Sequence, residues 1–168
     1  MNNEYLKTLS LNPYMVAKII QSFLEGYGGG TSIKLLFYVL PIVLSKDSRT
    51  VLLTAKNTSR METLFGTKKG KSNYEDLKLS ARVNLSGFVE RYVQFEELTK
   101  LAIIVLSTEK KINISNSVFL LRVDNYKNYN GNLHDLLRAA FYLGIIFKKH
   151  TTETIDLYLG VENKWKVL

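Results

Sequence analysis

Two histidines, a pair of closely spaced carboxylates and one glycine-rich segment are the groups in this sequence with the means to do chemistry. His134 and His150 have the donor atoms for a metal or a proton relay, but a whole helical pattern separates them. Neither has a cysteine or a carboxylate at ligand spacing, so no zinc site is expected. His134 reads as a helix-entry residue and His150 as a surface group favoured by the C-terminal end of its helix. Glu153 and Asp156 fall three apart and would share a helix face, yet nothing marks one as acid and the other as base. Gly26-Tyr27-Gly28-Gly29-Gly30 ahead of Thr31-Ser32 has the composition of a phosphate-cradling loop. Such a loop follows a strand and carries Gly-Lys-Ser/Thr; this one follows a helical pattern and lacks that signature, which Lys34 does not supply. It reads as a helix-breaking connector. Glu90, Glu96 and Glu97 share a helical pattern with Arg91 and Lys100, and Glu96 with Lys100 is an ordinary i,i+4 pair. No enzyme activity, cofactor or metal is expected.

Binding chemistry is better represented. The formal charge is +8, and seven cations (Lys46, Arg49, Lys56, Arg60, Lys68, Lys69 and Lys71) fall in one stretch against Asp47 and Glu62 alone. Such a cluster attracts phosphate-rich partners and makes these residues the nucleic-acid-binding candidates, double-stranded DNA first. The same cluster on a solvated surface would serve solubility alone. Tyr126 and Tyr129, set among asparagines, have rings that could stack on bases or anchor a protein interface. With Phe147 and Tyr158 they place the expected protein interface in the C-terminal third.

Elements to hold these groups follow from the apolar pattern. Asn12 is a good N-cap and Pro13 suits a first helical turn; Val16, Ile19, Ile20, Phe23 and Leu24 share one face, and Gly26 with Gly28-Gly29-Gly30 ends that helix. Thr31 or Ser32 caps a second helix over Ile33–Leu44, which Pro41 should kink or stop early. Short helices are predicted at Ser48–Lys56 and Ser59–Phe65. Gly66 to Ser72 is a flexible basic loop of turn residues. A long helical pattern runs from Tyr74 to Ser107, broken or bent near Gly87, with Leu101–Leu106 dense enough to be buried all round. Lys111–Ser115 and Val118–Val123 around Asn116-Ser117 read as a β-hairpin. Asp124–Asn132 is a polar loop, Leu133–Lys149 the last strong helix, and a short helix capped by Thr152 runs to Leu159 before Gly160.

These elements make a mainly α domain with a small hairpin, an outline like a winged helix, in one domain over 1–168. An apolar fraction of 46% and a length of 168 residues allow a core that folds alone. The absence of cysteine fits a reducing compartment. The N-terminal residues show no secretion signal, and the longest apolar run, Ile33–Leu44, contains Lys34 and falls short of the roughly 20 residues a bilayer requires. A cytoplasmic protein that does not engage membranes is expected.

The order of several short motifs resembles a known family. Asn12-Pro13 opens the first helix, and the Leu35–Leu44 segment carries Leu40-Pro41 with Lys46-Asp47 following. Ala139-Ala140-Phe141-Tyr142-Leu143-Gly144-Ile145-Ile146-Phe147 and then Leu159-Gly160-Val161 complete the series. This order is similar to the middle component of three-component ABC-ATPase systems, small proteins encoded with SMC-like or Rad50-like ATPases in bacterial antiviral defence. The resemblance spans nearly the whole chain, with Ile146 departing where members often carry tryptophan. It implies an accessory subunit of a Lamassu-type or related complex, seated on an SMC/Rad50-like ABC ATPase and linking it to an effector subunit. It brings no catalytic residues. The rival expectation, from the charge and the hairpin, is a stand-alone winged-helix DNA-binding regulator; a small hydrolase or nuclease ranks last.

Overall fold

The computed structural model describes residues 11–65 and 84–161. The basic loop expected from Gly66 lies outside these residues. Helix α1 runs Pro13–Tyr27, and the Asn12 side chain accepts the Met15 N–H at 2.8 Å, as the capping pattern requires. The predicted stripe of Val16, Ile19, Ile20, Phe23 and Leu24 is buried. The helix ends on Gly28, whose N–H bonds back to the Leu24 carbonyl at a φ of 62°.

Helix α2 (Ile33–Val43) is apolar nearly all round and lies within the core. It continues past Pro41, contrary to the expected early stop. The proline sits in the last turn, where a missing N–H costs one bond and the freed end carbonyls find other donors. Arg91 Nε donates to the Pro41 carbonyl at 2.7 Å, and Arg49 Nη1 donates to those of Val43 and Leu44 at 3.1 and 3.3 Å. Helices α3 (Lys46–Leu52) and α4 (Met61–Leu64) are short, and both are briefer than the sequence suggested.

Gly87, in the left-handed region at φ 73°, starts helix α5 (Phe88–Thr108), so the predicted break falls there. Its buried side holds Phe88, Phe95, Thr99, Ala102, Ile103 and Leu106 and packs on α1 and α2. Phe88 meets Tyr38 edge-on at 5.6 Å. The expectation of burial all round fails at Leu101 and Ile104, which face solvent. A dense apolar run does not distinguish a sheathed helix from one whose outer face is left open.

The hairpin pairs β1 (Ile112–Ile114) with β2 (Val118–Leu120), in the register Ile112 to Leu120 and Ile114 to Val118. Buried Thr31, between α1 and α2, adds an antiparallel bridge to the far side of β2. Its N–H donates to the Val118 carbonyl at 2.9 Å, and its carbonyl accepts the Val118 N–H at 2.8 Å. A 3-10 turn over Tyr126–Asn128 leads into α6 (Gly131–Lys148). Helix α7 (Thr152–Leu159) is capped by Thr151, one residue before the expected cap, and stops on Gly160 at φ 70°. Among the described residues, buried side chains from all seven helices and both strands belong to one core, with Phe23 meeting Phe147 edge-on at 5.8 Å.

Candidate protein and nucleic-acid interfaces

The basic candidates divide by location. Lys46 and Lys56 are exposed, on α3 and in the loop after it. Arg49 is half-buried and committed to the α2 carbonyls. Arg60 is exposed, with Nε 3.5 Å from Glu62. Lys68, Lys69 and Lys71 lie outside the described residues. Other cations of the chain bind the fold to itself. Arg138 on α6 donates to the Leu53 and Ala55 carbonyls, and Lys149 to those of Asn57 and Ser59. The loop between α3 and α4 is thus tied to α6 by two cationic side chains.

The aromatic candidates are drawn inward. Tyr126 is buried, its ring 5.2 Å from Phe141 and 5.6 Å from His134. The Tyr129 hydroxyl donates to Asp124 Oδ2 at 2.7 Å and accepts from Lys18 Nζ at 2.8 Å, while Lys18 pairs with the same carboxylate oxygen at 2.9 Å. The Tyr129 hydroxyl, above all, raises the Lys18 pKa. Burial alone would push Asp124 up, but the Tyr129 and Lys18 hydrogen bonds outweigh it and leave the carboxyl below its usual range. Phe147 is in the core and Tyr158 is buried beneath α4, so neither ring offers an outward surface in this conformation. Sequence alone could not show this, because an aromatic in a polar loop looks the same whether it points in or out.

His150 also differs from expectation. Its side chain is 4% exposed, and Nε2 accepts the Met61 N–H at 3.3 Å, which places the proton of the neutral ring on Nδ1. Burial is the main force lowering its pKa; Arg60 and Lys149 add to the effect and the Glu62 carboxylate, 3.7 Å away, opposes it. A helix end reading Lys-Lys-His looked polar, but the chain folds α4 over it. Burial, with Glu62 adding, raises the pKa of the neighbouring Tyr158 phenol. Asp156 is structural too: it accepts from the Tyr38 hydroxyl at 2.7 Å and pairs with Lys34, joining α7 to α2. Exposed Glu153 takes no part in that link. Among the described residues no group of three or more His, Asp or Glu side chains is placed to hold a metal, and no helix is long and apolar enough to cross a membrane.

Several apolar side chains do reach solvent. Val93, Leu101 and Ile104 on α5 are 64%, 48% and 59% exposed. Ile114, Phe119, Leu121 and Val123 are exposed on the hairpin and its exit. Phe119 lies on β2, and Leu121 and Val123 follow in the segment that leaves it. Of these exposed residues, Leu101 and Ile104 fall in the run that the sequence pattern suggested was buried all round.

Grouped exposed apolar side chains of this kind are found where proteins meet other proteins. The family comparison is specific: residues 2–163 match the model of ABC-three component (ABC-3C) system Middle Component 3, and the chain belongs to that family. It is therefore a component of ABC-3C defence systems. No curated protein and no solved structure matches it.

Proposed function

We propose that this chain is a non-enzymatic accessory subunit that joins the ATPase of its three-component system to an effector subunit in the cytoplasm. Membership of the middle-component family across residues 2–163 carries the reading. On this reading the ATPase is SMC- or Rad50-like, as in Lamassu-type systems. The exposed apolar residues of α5 and the hairpin support a role in assembly. DNA contact is auxiliary and runs through Lys46 and Lys56, two of the exposed cations among the described residues of the basic stretch. Co-expression of the tagged chain with the genes encoded beside it tests the proposal. Recovery of the ATPase at fixed stoichiometry is the expected result, and a chain recovered alone under native conditions would overturn it.

One observation favours the second reading, a winged-helix DNA-binding regulator. The single bridge from Thr31 to Val118 falls between the first two helices, where such a fold has its third strand, and on this reading α5, the helix before the hairpin, would be the groove-reading helix. Against it, the outward residues of α5 include Val93, Glu97, Leu101 and Ile104, a face poorly suited to phosphates. Steeply salt-dependent, site-specific duplex binding by the isolated chain would reinstate it.

A further inference from the structure

We propose that the outward face of α5 seats a partner component of the system, and that the segment lying on it is apolar and carries lysine or arginine. The inference rests on the accessory-subunit reading and assigns it a surface. Glu90, Val93, Glu97, Leu101, Ile104 and Thr108 recur at three- and four-residue steps and are all exposed, so they form one stripe along the helix. The opposite side of α5 is anchored in the core against α1 and α2, which gives the stripe a fixed shape. Val93, Leu101 and Ile104 stand on this one face to either side of Glu97 and give it apolar anchors for an incoming segment.

Charge selects the occupant. On a chain with net charge +8, the stripe itself carries Glu90 and Glu97 and no cation; Glu96 and Lys100 lie beside it, and Arg91 is engaged by the Pro41 and Ser86 carbonyls. Lys100, the cation at its margin, is held by Glu96 and Glu97 at 3.0 and 2.7 Å. Glu97 stands out in the middle of the stripe, its side chain 81% exposed. The surface is therefore apolar with a negative excess. It repels a nucleic-acid backbone and also a second copy of itself, and it complements a basic apolar segment.

The test compares the wild-type complex, co-expressed from the whole gene set, with the Leu101→Glu/Ile104→Glu double variant and with Glu97→Lys. Each isolated variant is first checked for wild-type thermal unfolding, which exposed positions should preserve. The double variant is expected to weaken recovery of the partner by about 100-fold and Glu97→Lys by about tenfold, the scale of losing central anchors and one opposed charge. Wild-type recovery with both variants would overturn the surface assignment while leaving the accessory role standing. Failure of the wild-type chain to bind any component would overturn both. A homodimer of the isolated chain that the double variant dissociates would overturn the choice of occupant, as would loss of DNA binding in that variant.

Discussion

Gly26 of α1 and Gly144 of α6 face each other where the two helices cross, with no room for a side chain on either. A Cβ at Gly26 would lie 1.9 Å from the Phe141 carbonyl oxygen, and one at Gly144 would lie 2.2 Å from that of Phe23. Both obstructions are backbone, so no rotamer change relieves them. The Leu143-Gly144 motif therefore has a steric cause: it lets the two helices approach until their backbones touch.

Gly144→Ala is accordingly expected to cost about 3 kcal/mol or more, because relief requires moving one helix off the other. The mild gain that alanine usually brings within a helix, up to about 1 kcal/mol, does not offset that displacement. Urea denaturation of the two proteins measures the difference; a loss below about 1 kcal/mol would show that the crossing is more yielding than described.

His150 gives the fold an acid-sensitive point. Its folded pKa is depressed below 6.5, so the unfolded chain takes up the proton first as pH falls. The stabilisation is complete above 6.5 and is lost progressively as the pH drops from there through the folded value. The midpoint of urea unfolding should fall between pH 7.5 and pH 5, and His150→Gln should flatten that part of the profile. Equal slopes in the two proteins would remove His150 as the cause.

The ties from α6 to the loop after α3 make a prediction about local opening. Arg138 and Lys149 hold carbonyls at Leu53, Ala55, Asn57 and Ser59, around exposed Lys56. Arg138→Met and Lys149→Met should each speed tryptic cleavage after Lys56 under native conditions while shifting global stability by only about 1 kcal/mol. Unchanged cleavage kinetics would mean that packing alone secures the loop.

For DNA, the expectation concerns salt. If Lys46 and Lys56 each neutralise one phosphate, replacing one by glutamine should reduce the slope of log K against log salt by about 0.9. The measurement belongs on the assembled complex, with the loss independent of sequence. An unchanged slope would confine these lysines to solubility.

Much of the helical scaffold was legible because its signals are local. Asn12-Pro13, Gly28, Gly87 and Gly160 mark boundaries through capping and left-handed backbone, which need no knowledge of the rest of the chain. The hairpin was equally readable from Ile112 and Ile114. Facing was not. Whether Leu101 looks out, or Tyr126 and His150 look in, depends on which distant element arrives: α4 over His150, α6 against Tyr126, and no described element over Leu101. The candidate interface moved from the aromatic C-terminal third to α5 for that reason.

The pairing of α1 with α6 has a consequence for synthesis. The apolar stripe of α1, with Phe23 and Leu24, is covered largely by α6, a helix far later in the sequence. Until Gly131–Lys148 has left the ribosome, the first helix lacks its main cover, and the nascent chain carries that apolar stripe partly open. This core therefore closes only once α6 has been made, the same interval in which a neighbouring subunit, if made alongside, would first find a finished surface to grip.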